Sequence, residues 1–525
     1  MLLAVLRHGQ HLTANPGRNS IPPMAKAGST TASPSSAPQK GLDSWFELSK
    51  RGSTIGREIR GGLVTFFTMA YIIILNPIII GTQVDVNGRL ISGALPTDPM
   101  AVPISMGMVA AATALVAGVM TILMGAYARF PLALATGLGL NALVAYSIVK
   151  QMTWPQAMGL IVWEGVLILI LVLTGFRRAI FNAVPRSLRT GISVGIGLFI
   201  AFIGLFDSGI VRAGAGTPVQ LGVDGKLLGW PIAIFLIGLV ILIVLFVRKV
   251  KGAMLIAILA ATVIAVIVQT VAQLPLMKDD TGAVVNPTGW IQNLPTIGEF
   301  ALPNLGLLGR VDLFGAFTGA SGPTAILGLL LLVFSLLLSD FFDTMGTIVA
   351  VGAEGNLLGD DGNPPRTQEI LVVDSIAAIA GGLGSVSSNT SYIESASGVG
   401  DGARTGLASI VTGLAFLASV FLAPLVHVVP AEAATPALFF VGFLMMAQVI
   451  HVDWEDPEQG IPAFLTIVLM PFTYSITVGI GAGFIAYVLI KVVVGKAKDV
   501  HPLLYGVAAA FIIYFAQGVI TGLFS

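Results

Sequence analysis

Long apolar runs alternate with short polar interruptions over nearly the whole chain. Spans are predicted near residues 61–84, 101–127, 132–149, 155–174, 187–207, 229–248 and 253–274. After a polar loop at 275–323, seven more are predicted near 324–351, 368–385, 386–400, 404–428, 435–450, 461–494 and 503–523. Most are long enough for a helix to cross a hydrocarbon core of about 30 Å. The runs are continuous, without the alternating segments of about ten residues that a transmembrane β-barrel requires. The pattern specifies an all-α polytopic membrane protein with about 14 transmembrane segments in a lipid bilayer.

Two spans break this pattern. Residues 132–149 and 386–400 are short, are interrupted by Gly, Ser, Thr or Asn, and stand third in each half of the chain. A matched pair of short, broken segments is the best sequence pointer to a transporter's binding site. The halves also echo one another: TFFTMAY at Thr65–Tyr71 resembles DFFDTMG at Asp340–Gly346. The copies lie in the first and eighth spans, an offset of seven, so they insert in opposite directions, as in an inverted repeat.

Composition sharpens the class. Of 525 residues, 55% are hydrophobic and 10% charged, with a mean hydropathy of +0.91; soluble proteins carry about 25% charged residues. The 27 basic and 27 acidic residues balance, so net charge identifies no partner. Their placement is informative: a cytoplasmic N-terminus puts Arg129, the cluster Arg177, Arg178, Arg186 and Arg189, Arg248, Lys249, Lys251, Arg366 and Arg404 all inside. The loop 275–323 is then extracellular or periplasmic. Taken as one crossing, 461–494 would put Lys491, Lys496 and Lys498 outside. A break near Pro471–Ser475 restores them to the inside but makes the span count odd, which leaves the topology of 461–525 open. Residues 1–43, rich in Ser, Pro, Thr and Ala, read as a disordered tail, with translation starting at Met1 or Met24. Residues 44–60 read as an interfacial lead-in carrying Lys50, Arg51, Arg57 and Arg60.

The chemistry sits on polar residues within apolar runs. The run LLLLVFSLLLSDFFDTMGTIVA at Leu329–Ala350 carries Asp340 and Asp343. An ionised carboxylate at the bilayer centre costs about 2.5–3.5 kcal/mol on insertion scales, so such groups are functional candidates by default. On a helix, Asp340, Asp343, Thr344 and Thr347 form one stripe at i, i+3, i+4 and i+7, facing protein or a cavity. Two acids so close in a low dielectric do not both ionise readily, which suits the pair to carry a proton. The plainer alternative is that Asp343 only bonds neighbouring backbone. The broken span SSNTSYIESASG, Ser387–Gly398, places hydroxyls including Thr390 before Glu394. Irregular backbone at membrane depth is tolerated where it lines a cavity or is covered by protein. A carboxylate there can accept two N–H groups of a planar heterocycle, pair with a cation, or cap freed backbone. In the matching span ALATGLGLNALVAY, Ala133–Tyr146, Asn141 is either a ligand contact or interhelical glue. Glu164, Asp374 and Asn76 read as structural hydrogen-bond partners.

Other chemistries are poorly supported. There is no cysteine, and the five histidines have no metal-binding spacing, so neither metal nor cofactor is expected. No GxxxxGK[ST] pattern for nucleotide-driven pumping occurs, and no nucleic-acid partner is indicated. Gly398-Val399-Gly400-Asp401 spells the GxGD motif of intramembrane aspartyl proteases, a remote alternative. Its usual Tyr-Asp partner is missing, and Asp401 lies at a span boundary.

Four stretches carry a resemblance: GGLVTFFTMAYIIILNP (61–77), ATGLGLNALVAY (135–146), SDFFDTMGTIVAVG (339–352) and NTSYIESASGVGDGARTGL (389–407). From about residue 44 onward the chain resembles the AzgA-type guanine/hypoxanthine/adenine permeases of the nucleobase transporter superfamily. Ala135-Thr136-Gly137 departs from the Pro-Gly-Met of many relatives. The resemblance implies a uracil-permease-like fold of two inverted seven-segment repeats and no enzymatic activity. Core domain would comprise 61–174 and 324–428, and gate domain 187–274 and 435–525. It further implies import of purine nucleobases with protons across the plasma or inner membrane, by an elevator motion of core against gate. By position, Asp340 and Glu394 would hold the purine and share in proton coupling, Asn141, Thr344 and Thr390 would support the site, and Asp343 would assist or handle the proton. A uracil/xanthine or anion carrier is the same-fold alternative. The preferred purine, Na⁺ in place of H⁺, and a homodimer are left open.

Overall fold

The computed structural model describes residues 41–98, 100–175, 183–214, 216–279, 283–296, 302–359 and 363–524. Most of the expected tail, and Arg177 and Arg178 of the basic cluster, lie outside the described residues. In the first half, α1 (Leu42–Phe46) leads into α2 (Ile55–Met69), whose N-terminus Thr54 caps by accepting from Arg57 N. A break at Ala70–Tyr71 separates α2 from α3 (Ile72–Ile80). After α4 (Ala101–Leu123), the chain forms a three-residue strand β1 (Leu134–Thr136) and the short α5 (Leu138–Leu143). Then come α6 (Trp154–Leu173), α7 (Arg186–Asp207), the small β2 (Val211–Arg212) and β3 (Gln220–Leu221), α8 (Trp230–Val247) and α9 (Ala253–Ala272).

The second half opens with α10 (Gly315–Thr318) and the 32-residue α11 (Pro323–Glu354), followed by α12 (Thr367–Leu383). Strand β4 (Asn389–Ser391) and the short α13 (Ser395–Gly400) follow, then α14 (Gly406–Ser419) and α15 (Ala431–Met446). The predicted span 461–494 is divided: α16 (Pro457–Phe472) and α17 (Ile476–Val493) form a packed hairpin, with α18 (Pro502–Phe524) beyond it. This corrects the single crossing in the count of about 14. Tyr474 is left-handed at φ 55°, and Ser475 caps α17, so the chain turns rather than continues. Glu458 at the start of α16 accepts Lys491 and Lys496 at 2.5 Å each. Both open ends of the hairpin therefore face the same side, and the lysines join the other basic residues.

Among the described residues, ten helices are long and apolar enough to cross a membrane. The outer faces of α8 and α9 leave Val240, Val247, Val263, Ile267 and Val271 exposed, a surface suited to lipid. Two packing groups are evident. α12 lies along α6, and α14 lies along α2 and α4; separately, α7 lies along α15 and α16, and α8 along α9 and α15. Glycines permit close approach in the first group: a Cβ on Gly165 of α6 would stand 2.7 Å from the Ile379 amide of α12. Glu58, fully buried, anchors the start of α14. Its carboxylate accepts from Arg404 N at 2.9 Å, Thr405 N at 3.2 Å and Ala408 N at 3.3 Å. An acid at a helix N-terminus satisfies orphan donors and complements the dipole.

Candidate functional site

The two broken segments meet. β1 and β4 pair antiparallel, with Leu134 opposite Ser391, Ala135 opposite Thr390 and Thr136 opposite Asn389. Three-residue strands inside a helical bundle are sustained because each supplies the other's backbone partners. The pairing extends through Gly137 N to Ser388 O at 2.9 Å and Tyr392 N to Ala133 O at 3.0 Å. The approach to β4 is strained: Ser385 and Ser387 both have positive φ, at 55° and 72°. Arg129, left-handed at φ 55°, ends the preceding helical stretch, and Thr121 both donates to Leu134 O and accepts from Leu134 N.

Around this crossing the acids fall into two layers. Asp343 is exposed and Glu394 half-buried, on the accessible side of the crossing and close enough to feel one another's charge. Glu394 accepts a hydrogen bond from the Tyr71 hydroxyl, at the break between α2 and α3. Thr68 adds a contact to the Glu394 carbonyl at 3.4 Å. Asp343 continues into an accessible face of α11, Asp343–Gly346–Ala350–Ala353, that runs toward the basic end of the bundle. Arg189 of α7 lies over Phe342 at 5.9 Å, beside the same opening. At the other end the opening is sealed. Tyr146 donates to Asp207, Ser147 donates to Tyr474 O at 3.2 Å, and the Tyr474 ring packs on Tyr146 and Phe199 at 6.0 and 5.3 Å.

Behind the crossing lies the second layer. Asp340, 1% exposed, sits with Glu164 of α6, and Ser388 is placed between them at 3.5 and 3.4 Å. Asp374 accepts from Thr344 at 2.8 Å and from Ser391 at 2.7 Å. The Thr344 and Thr390 hydroxyls are 2.8 Å apart. Asn141, fully buried, donates to Asn76 at 2.8 Å and accepts from Thr136 at 2.5 Å, while Asn76 donates to Thr113 and to Val386 O.

The expected site residues are thus brought to one crossing but given unequal access. Asp343 and Glu394 reach open space; Asp340, Thr344, Thr390 and Asn141 do not in this conformation. Asn141 spends its amide on the network that ties α3 to α5. Asp374 and Asn76 bond as expected, to β4 and across the crossing. Asn389 of β4 is 1% exposed. Sequence reasoning missed Tyr71, although Thr65, Thr68 and Tyr71 repeat every three residues in the echo segment. It also missed Tyr146 and Tyr474, for which no linear signal exists, and Asp207, an acid at the end of the apolar span 187–207. The GxGD aspartate is held by Lys251 and, at 2.5 Å, by Arg60. It sits at the basic end of the bundle and, among the described residues, bonds no second aspartate, so the protease reading has no dyad. A cavity of about 260 Å³ lies at the opposite end, lined by Asp85, Arg89, Trp154, Met158, Arg310 and Ser385.

Comparison with known proteins agrees with this architecture. The sequence model of a permease family matches residues 56–482. The guanine/hypoxanthine permease PbuG of Bacillus subtilis is 37% identical over 478 residues, covering 90% of this chain and 99% of its own length. The adenine permease AdeP of Escherichia coli is 36% identical over 474 residues, covering 90% of this chain and 95% of its own. In fold, the chain is similar to the transmembrane domain of the cyanobacterial bicarbonate transporter BicA, with a TM-score of 0.52 and 14% identity over 82% of this chain and 97% of that one. It is also similar to the murine anion transporter Slc26a9 in its inward-facing state, with a TM-score of 0.53 and 13% identity over 88% and 74% of the two chains. Together with the apolar helices, these matches make the chain a multi-pass cell-membrane transporter, not an enzyme, belonging to the permease family and, within it, to the guanine/hypoxanthine and adenine branch.

Proposed function

We propose that this protein imports purine nucleobases together with protons, and that the purine binds at Glu394 and Asp343 beside the β1–β4 crossing. The observation that carries the reading is the Glu394 carboxylate, held by Tyr71 beside the pairing of the two broken segments. Guanine and hypoxanthine present adjacent ring N–H donors, and one carboxylate can accept two of them in a bidentate, charge-assisted arrangement. The names of the relatives support a purine over the anions of the structural neighbours. So does the acidic lining, since an anion would be repelled by Asp343 and Glu394.

In this reading Asp340, Thr344 and Thr390 support the site from behind, and Asn141 fixes the crossing. The packing groups α2–α6 with α11–α14, and α7–α9 with α15–α18, correspond to core and gate of an inverted repeat. Transport slides the first along the second. The opening along Asp343–Ala353 and the Tyr146–Asp207 seal then describe an inward-open state. The test is uptake of radiolabelled hypoxanthine, guanine, adenine, xanthine and uracil by cells expressing the protein, with and without a proton uncoupler and with Na⁺ replaced. Purine uptake abolished by the uncoupler and indifferent to Na⁺ is expected; no purine uptake refutes the reading.

A further inference from the structure

The Asp340–Glu164 contact has an unusual hydrogen-bond balance. The two carboxyl groups are neighbours that share the Ser388 hydroxyl, and both side chains are buried. One oxygen of each, Asp340 Oδ1 and Glu164 Oε2, has no donor within hydrogen-bond distance, although the Thr390 hydroxyl also lies near the Asp340 carboxyl. Ser388 serves the other oxygen of each acid, at 3.5 and 3.4 Å, and it brings one hydroxyl hydrogen for two acceptors. A buried acceptor without a donor costs about 1–3 kcal/mol, more when charged, so two on neighbouring acids require an explanation. One hydrogen supplies it: covalently held by either acid and donated to the other, it satisfies both.

We propose that Glu164 and Asp340 hold a single proton between them, as a carboxyl–carboxylate pair that forms the coupling-ion site; the ion's link to purine rests on the reading above, whereas the shared proton does not. The neighbours leave no other role for the pair. Asp374 of α12 has both oxygens occupied by Thr344 and Ser391. Asp343 and Glu394 lie on the accessible side, with the Tyr71 hydroxyl on Glu394. The Tyr392 hydroxyl is used on Thr136 O at 2.6 Å, and Arg189 of the facing α7 lies over Phe342. Among the described residues, no Lys, Arg or His forms an ion pair with either acid.

The pair is connected to the purine through one strand. Ser388 and Thr390 touch the acids and α11, and four residues past Thr390 the same segment carries Glu394. With the proton bound, the acids attract and hold β4 against α11. When it leaves to water, two anions face each other across a dry contact and repel, which displaces the strand and Glu394 with it. Proton and purine therefore bind with a shared coupling free energy, and the pair crosses with one negative charge rather than two.

The test uses the full chain reconstituted in liposomes. Infrared spectra at neutral pH are expected to show a protonated-carboxyl C=O band that is absent from both Glu164→Gln and Asp340→Asn, where an amide N–H replaces the proton. One proton per purine sets wild-type accumulation at about tenfold per unit of pH gradient. Glu164→Gln is expected to exchange hypoxanthine for hypoxanthine but to accumulate none under a pH gradient. If Glu164→Gln does not assemble, Glu164→Asp is expected to accumulate hypoxanthine with a displaced pH midpoint. Full pH-driven accumulation by Glu164→Gln, an unmoved midpoint in Glu164→Asp, or an unchanged infrared band overturns the proposal. So does accumulation driven by a Na⁺ gradient without a pH gradient. If the wild type moves no purine, the transport reading fails, and the infrared band alone decides the pair.

Discussion

Replacing Tyr71 by Phe deletes one oxygen from the site and leaves the buried ring in place. Tyr71 is 1% exposed, and its hydroxyl bonds the half-buried Glu394 carboxylate. A hydrogen bond to a charged group contributes about 1.5–3 kcal/mol, but part of this returns when water reaches the freed carboxylate. The remaining loss is one of preorganisation. A Glu side chain released to several rotamers costs about 1–2 kcal/mol to order again when the purine binds. Tyr71→Phe should therefore weaken purine binding by about 1–2 kcal/mol, a five- to thirtyfold rise in Kd. The assay is equilibrium binding of labelled hypoxanthine to purified protein, with thermal unfolding measured alongside. Affinity is expected to fall while the melting temperature stays close to wild type. A Kd within twofold of wild type would show that Tyr71 does not position Glu394 for the ligand. A parallel collapse of melting temperature would show that its role is only structural.

Three further outcomes follow from the same geometry. Because the chain lacks cysteine, single replacements report access cleanly: Gly346→Cys and Ala350→Cys should react with an impermeant maleimide applied at the cytoplasmic face, and Ser388→Cys should not. Equal labelling of all three would contradict the two-layer arrangement. Asn141→Ala removes two buried hydrogen bonds and strands the Asn76 carbonyl oxygen, a loss of about 2–4 kcal/mol, seen as a lower melting temperature in detergent; unchanged melting with lost binding would instead make Asn141 a ligand contact. Asp401 is held below the ordinary carboxylate range by Lys251 first and Arg60 next. A depressed value means that the Asp401 contribution is present at neutral pH and is lost as pH falls through the lowered value, below about pH 4. Asp401→Asn should flatten that acid dependence, with a small amplitude because both cations are largely exposed. A wild-type acid profile in Asp401→Asn would count against the Lys251–Asp401–Arg60 contact.

Much of the protein is legible in its pattern of residues because a bilayer makes local demands. A span must be long and apolar, so 101–127, 155–174 and 187–207 were readable to within a few residues of α4, α6 and α7. An acid in such a span must have a reason to be there, which marked Asp340, Asp343 and Glu394 before any comparison. The broken segments at 132–149 and 386–400 were visible because Gly, Ser and Thr replace Leu and Ile. The turn at 473–475 was visible only as a conflict between charge and span count, since a hairpin and a long helix share the same hydropathy.

What the tertiary structure decided is which polar groups share a contact and which reach open space. Asp340 and Asp343 are three residues apart on one stripe of one helix, yet one is sealed and the other accessible. The difference arises from the segment leading into β4, whose Ser388, 48 residues further along the chain, lies over Asp340. Glu164 read as a structural acceptor until α6 placed it against Asp340, and Tyr71 read as part of a greasy span until the helix break aimed it at Glu394. Hydropathy is a property of each position and its near neighbours, so the sequence alone determined the membrane class and the candidate acids. Pairing of buried groups depends on separations in space between segments far apart in the chain, and only the packed fold sets those.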